Sequence, residues 1–192
     1  VTAPAVTHST EEALRAVVSN YSVALERHLF DSLVFATWAL LTDHATSGRP
    51  FEFHVKSARK FAIETLNGSV ERKEGVGRND LSDRPELRQL VQGFLRLSNH
   101  LEYLRLRESD FLRDTEDFPR FVKQTDLQRF PFAHTIPYLD LTAASQVNLR
   151  STLRDVSTKL NDSGILRARN GLLHAEGEQR TPTAREVNAA LD

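Results

Sequence analysis

Apolar positions recur at helical spacing from the start of the chain. In the first 40 residues they lie three or four residues apart, and Ser9 with Glu12 forms a capping box before them. A second run follows Pro50, which suits a first helical turn, and stops at Gly68. The pattern predicts a helical hairpin over residues 9–68. Its second helix has these candidate buried positions: Phe53, Ala58, Phe61, Ala62 and Leu66.

The most regular apolar stripe comes next. Asp83 is the expected N-cap and Pro85 lies in the expected first turn. Alternating spacings of three and four predict a bundle helix that packs at a shallow angle. Leu95 and Leu106 lie off the stripe, so a second contact, such as a subunit, is expected there. The stripe consists of Leu87, Leu90, Phe94, Leu97, Leu101 and Leu104.

Residues 109–140 break this regularity, because phenylalanines mix there with acidic residues and prolines. One short helix over residues 118–124 is plausible. Phenylalanines at this density can stack on bases, but no dense basic run interleaves them, which favours folding back onto the bundle. Regular spacing returns over residues 141–161 and ends at Gly164, where Ser163 can start a further helix.

The predicted fold class is therefore all-α. We expect a single domain over residues 1–192, a bundle of about five to seven helices. Residues 9–68 form its N-terminal hairpin and residues 83–192 form the remaining bundle, with the irregular segment around residues 109–140. No stretch alternates as a strand does.

Composition narrows the classes of function. The net charge is −1, so an RNA-binding surface would have to be a local patch. There is no cysteine, no bilayer-length apolar run and no signal-peptide pattern, so we expect a cytoplasmic protein without a membrane partner. No metal-binding or phosphate-loop motif occurs, so no metal and no cofactor are expected. The chain has no methionine and stops within a helical pattern at Asp192, which suggests a piece of a longer protein.

Residues 165–174, Ile-Leu-Arg-Ala-Arg-Asn-Gly-Leu-Leu-His, carry the candidate chemistry. At about 100° per residue, Arg169 falls in the middle of the apolar arc of this helix. A guanidinium there must be paired, aimed at an anion, or placed at an interface. Arg167, Asn170 and His174 share the opposite face, so an anion-binding group and a proton carrier lie a few residues apart.

The spacing from Arg169 to His174 is not unique. Arg49 with His54, and Arg129 with His134, have the same spacing. Each of these pairs has a proline between its members, which argues against a regular helix, and neither arginine is followed by a polar residue. A structural interpretation remains, in which Arg169 pairs with a buried carboxylate and His174 caps a helix end.

The sequence Arg169-Asn170-x-x-x-His174 resembles the signature of the HEPN superfamily, small helical domains that are often metal-independent ribonucleases. The segment from Thr181 to Val187 is similar to the start of the helix that follows that motif. The resemblance implies an RNA endonuclease that leaves 2′,3′-cyclic phosphate ends. Its RNA substrate would be cut in defence, toxin–antitoxin or stress biology.

The implied roles follow from the residue types. His174 would be the general acid or base, because imidazole exchanges protons near neutral pH. Arg169 would bind the phosphate and stabilise the transition state, and Asn170 would orient the histidine or the substrate. Auxiliary RNA contacts are Arg167 and, more weakly, Arg180 and Arg185, which are otherwise ordinary surface charges.

Arg169 and His174 do not converge on one regular helix. They lie about 140° apart around the axis and about 7.5 Å apart along it. Two copies related by a two-fold axis could build one site from both motifs, and HEPN ribonucleases generally act as such homodimers. Alternatively, Gly171 loosens the helix locally.

One departure and one alternative accompany the resemblance. HEPN toxins paired with nucleotidyltransferase antitoxins usually carry a tyrosine two residues after the histidine, where this chain has Glu176. Regulation through such a tyrosine is therefore not expected.

The alternative function is a non-catalytic HEPN-like module that dimerises or binds a nucleotide or partner, with additional domains or a regulatory partner beside it.

Overall fold

The computed structural model describes residues 11–44, 51–68, 80–113, 132–165 and residue 185. Within these ranges the chain is helical, which confirms the all-α fold class, and the four α-helices there are fewer than the whole chain was expected to have. The same ranges hold no strand, only one antiparallel bridge between Leu112 and His134. None of their helices is long and apolar enough to cross a bilayer. The helices are α1 (Glu11–Leu41), α2 (Val55–Gly68), α3 (Leu87–Arg105) and α4 (Ala143–Asp162).

Helix α3 lies at the centre of the fold. It packs against α4, α1 and α2. All six residues of its predicted stripe are buried, so the regular spacing correctly predicted the core-facing side. Gly93 allows α1 to come close, because a Cβ atom there would lie 2.6 Å from Leu33 Cδ2.

Two helices begin later than the sequence predicted. Phe51 has φ +61°, which no α-helix accommodates, so α2 begins at Val55 instead of near Pro50. Asp83 is not the N-cap of α3. Proline disfavours helical dihedral angles in the residue before it, and the N-cap is Glu86, whose backbone N–H donates to Gln89 Oε1 at 2.8 Å.

The buried side of α2 is narrower than expected. Ala58, Ala62 and Leu66 are buried. Phe53 is 37% exposed, so its assignment to the core was wrong. The reason is its position before the first turn of α2, where the helical spacing no longer sets which way a side chain faces.

Two 3₁₀ turns flank the irregular segment, the first at Glu108–Phe111 and the second at Pro137–Asp140. The second turn contacts α1 and α3 and buries Tyr138 completely. Thr142 then caps α4, and its Oγ1 accepts from the backbone N–H of Ser145 at 3.2 Å. The predicted short helix over residues 118–124 lies outside the described residues.

Candidate functional site

The turn after α4 leads into the predicted motif. Gly164 adopts φ +75°, the left-handed conformation that favours glycine, as its predicted capping role requires. The Ser163 hydroxyl donates to the Leu160 carbonyl at 2.9 Å and accepts from the Ile165 N–H at 3.3 Å. Ile165 is helical and 2% exposed, so the first residue of the motif segment is buried in the core.

Of the predicted site residues, the structure describes only Arg185, which is helical and exposed. That exposure suits either an RNA contact or an ordinary surface charge. Each of the other predicted site residues lies outside the described residues. These are Arg167, Arg169, Asn170, His174 and Arg180.

The two pairs that share the motif spacing do not form helices around their histidines. His54 lies in a non-helical stretch before α2, with its side chain 62% exposed and Nε2 3.0 Å from Glu52 Oε1. His134 lies in the bridge with Leu112. Both histidines are therefore non-helical, as a break in the helix at each pair would require, while Arg49 and Arg129 lie outside the described residues.

A polar cluster joins the end of α1 to the irregular segment. Arg113 binds both carboxylate oxygens of Asp43, at 2.7 and 3.0 Å, and donates to the His134 carbonyl at 3.1 Å. The Arg113 side chain is 2% exposed. Asp140 Oδ1 lies 2.8 Å from His134 Nδ1. We call Asp43, Arg113, His134 and Asp140, with Glu108 at their edge, the polar cluster.

The nitrogen atoms at the centre of the polar cluster are closed to solvent, whereas the side chains of Glu108 and Asp43 are 51% and 21% exposed. His134 Nε2 is 3.4 Å from Glu108 Oε1, without hydrogen-bond geometry, and both this nitrogen and Arg113 Nε are buried and have no hydrogen-bond partner. A substrate cannot approach them as they lie. These buried contacts therefore stabilise the loop, and the His134 nitrogen that would exchange a proton with a substrate is closed to solvent.

A groove of about 500 Å³ opens between the C-terminal end of α3 and the N-terminal end of α4. Arg105 and Arg150, on its two sides, both bind Glu102, with Arg105 Nη2 3.0 Å from Glu102 Oε1. Glu108 also lines the groove, so two cations face two carboxylates and no strong preference for anions results. The remaining lining residues are Leu139, Leu141, Ala143, Gln146 and Val147.

Burial shifts the pKa of one side chain near this groove. Tyr138 is fully buried, and the loss of water raises the pKa of its hydroxyl group, while the charge of Arg105 opposes that change. The hydroxyl group has no hydrogen-bond partner. In the described ranges no group of three or more His, Asp or Glu residues could hold a metal ion.

Sequence reasoning did not find the polar cluster or the groove. Asp43 and Arg113 are 70 positions apart, and Glu102 and Arg150 are 48 apart, so no local spacing indicates either contact. No known protein family, curated protein or solved structure matches the chain.

Proposed function

We propose that this protein is an RNA endonuclease of the HEPN type, with His174 and Arg169 as its principal catalytic residues. The observation that carries the proposal is the sequence Arg169-Asn170-x-x-x-His174. Support comes from its setting, because Ile165 is helical, directly follows the Gly164 turn and lies a few residues before the motif. The net charge of −1 is compatible with a local rather than a global RNA surface.

The reaction needs no group beyond the RNA and the protein. The 2′-oxygen attacks the adjacent phosphorus as its proton passes to a base, and the bond from phosphorus to the 5′-oxygen breaks as that oxygen gains a proton. The products are a 2′,3′-cyclic phosphate and a 5′-hydroxyl. His174 serves one or both proton transfers, and Arg169 neutralises charge on the phosphoryl oxygens.

The proposed site is composite. On a regular helix, Arg169 and His174 would be about 7.5 Å apart along the axis and would point in different directions. A second copy would supply the missing partner, with Asn170 beside the histidine. Arg167, Arg180 and the exposed Arg185 would extend the contact to neighbouring phosphates.

The test compares wild type with His174→Ala on total RNA, with EDTA present. We expect cleavage by wild type alone, with cyclic phosphate ends, and a loss of at least about 100-fold in the variant. His54→Ala is the matched control, because His54 follows Arg49 at the same spacing and is exposed. Far-ultraviolet circular dichroism checks that all variants fold.

Two results would overturn the proposal. One is cleavage that survives His174→Ala. The other is a folded wild-type dimer that leaves all RNAs intact.

The second candidate function is a non-catalytic dimerisation or binding module. Exposed aliphatic side chains favour it, since Leu106 is 69% and Leu112 is 60% exposed. The sequence predicted a further contact at Leu106, and its exposure leaves room for one. Self-association without RNA cleavage, weakened by Leu106→Ala together with Leu112→Ala in sedimentation velocity, would favour this module over the nuclease.

A further inference from the structure

The groove between the C-terminal end of α3 and the N-terminal end of α4, here called the α3–α4 groove, has the size of a small-molecule site. Its volume of about 500 Å³ lies within the range of about 300 to 1,000 Å³ that such sites span. Their walls are typically apolar with a few polar groups, and this groove has both kinds of lining. Its apolar wall is open to solvent, since Val147 is 53% and Leu141 is 38% exposed. That wall consists of Leu139, Leu141, Ala143 and Val147.

The arginines of the α3–α4 groove have more hydrogen-bond donors than their ion pairs use. Arg105 and Arg150 share the carboxylate of Glu102, so these three side chains carry two positive charges and one negative charge. Each guanidinium offers several N–H donors in a fixed fork, and one carboxylate can accept only some of them. The Arg150 side chain is only 12% exposed, so its position is fixed by its surroundings. The unused donors therefore suit the carboxylate of a ligand.

Glu108 and Gln146 bring acceptors to the same groove. Within the described ranges the carboxylate of Glu108 meets only His134, without hydrogen-bond geometry, and its side chain is 51% exposed. Gln146 is 6% exposed, and its amide nitrogen donates to the Leu141 carbonyl at 3.1 Å. Among the described residues nothing donates to the amide oxygen of Gln146. A carboxylate and an amide oxygen without donors suit the ammonium group of a ligand.

We propose that the α3–α4 groove binds a free aliphatic amino acid as a zwitterion. Its carboxylate accepts from Arg105 and Arg150, its ammonium donates to Glu108 and Gln146, and its side chain packs against the apolar wall. A simple anion would be repelled by Glu108 and a simple cation by the arginines, so the balanced charges of the groove select a ligand that carries both charges. The inference goes beyond the proposed nuclease function and does not depend on the motif around His174.

The test is isothermal titration calorimetry of the whole chain with L-leucine. Each of three analogues lacks one feature of leucine: isocaproate lacks the ammonium group, isopentylamine lacks the carboxylate, and glycine lacks the aliphatic side chain. We expect saturable binding of leucine with a Kd at or below about 1 mM. Each analogue should bind at least about tenfold more weakly, because it loses a charge-assisted contact or the apolar contact.

Two variants separate the two charged ends of the ligand. Arg150→Met should weaken leucine binding at least about tenfold, because it removes donors to the ligand carboxylate. Its matched control is Arg154→Met, since Arg154 is exposed on the same helix, outside the lining of the groove, and should bind as wild type does. Glu108→Gln should weaken leucine binding about tenfold but not isocaproate binding, because only leucine has an ammonium group. Glu108 is half exposed, so this variant keeps the test available if Arg150→Met does not fold.

Three results would overturn the inference. The first is the absence of saturable leucine binding up to about 10 mM. The second is isocaproate binding as tight as leucine binding, which would assign the groove to apolar anions. The third is leucine binding that Glu108→Gln leaves unchanged. Cleavage of RNA, or its absence, bears only on the nuclease proposal, so the failures of the two proposals are distinguishable.

Discussion

The α3 core and the polar cluster stabilise the same small fold by different means. Six stripe residues of α3 bury their side chains against three other helices. The polar cluster instead fixes the irregular segment to the end of α1 through the Arg113–Asp43 ion pair and the His134–Asp140 contact. Burial of apolar surface is non-directional and tolerates small shifts, whereas these polar contacts need specific partners.

The two regions differ in which substitutions the fold tolerates. Removing an apolar side chain from the α3 core costs transfer energy and leaves a cavity. Removing one partner from the polar cluster leaves a charge without its counterion, which lowers the free energy of unfolding. Removing the second charge as well restores part of that stability. The predictions below measure this difference.

The largest effect is expected from Leu97→Ala in the α3 core. Leu97 is fully buried, so we expect a loss of about 3 kcal/mol in the free energy of unfolding. Urea denaturation followed by circular dichroism measures it. Leu106→Ala removes the same atoms from a side chain that is 69% exposed and should change stability by less than about 0.5 kcal/mol. Equal losses from the two variants would contradict the packing of α3.

The next effect is expected in the polar cluster. Arg113→Met should lower the free energy of unfolding by about 2 kcal/mol. This is somewhat less than the loss expected for a fully buried ion pair, because the side chain of Asp43 is 21% exposed. Adding Asp43→Asn removes the negative charge that Arg113 balances in the wild type and should recover about half of that loss. The same urea titration measures both variants. No recovery in the double variant would mean that Arg113 stabilises the fold through packing or through its hydrogen bond to the His134 carbonyl, and not through Asp43.

Much of the fold was predictable because helical burial has a period. The Gly164 turn, the start of α4 close to residue 141, and the stripe from Leu87 to Leu104 follow from spacing and capping chemistry in neighbouring residues. The predicted starts of α2 and α3 were wrong, because local backbone geometry sets where these two helices begin. Phe51 has a positive φ, and Pro85 disfavours helical dihedral angles in the residue before it, where first-turn prolines and an N-cap at Asp83 had predicted earlier starts.

The candidate site was less predictable, since function depends on contacts between distant parts of the chain. The motif around His174 is a local signal and stays a prediction. The polar cluster combines Asp43, Arg113 and His134 from three separate stretches, so no local spacing could have indicated it.

The smallest effect is expected at Tyr138, in the second 3₁₀ turn, where the two regions meet. Its hydroxyl group is buried without a partner, which costs free energy in the folded state. Tyr138→Phe should therefore raise the free energy of unfolding by about 1 kcal/mol at neutral pH, in contrast to the losses above. A loss of stability would instead mean that the hydroxyl group makes a favourable contact.

Measurements at alkaline pH test the burial of Tyr138 further. Burial raises the pKa of Tyr138 in the folded protein above its ordinary value, with Arg105 opposing, so ionisation favours the unfolded chain. The stabilisation is complete below the unfolded pKa of about 10 and is lost as pH rises through that value towards the folded pKa. Urea titrations at pH 7 and at about pH 10.5 should show the advantage of Tyr138→Phe over wild type growing with pH.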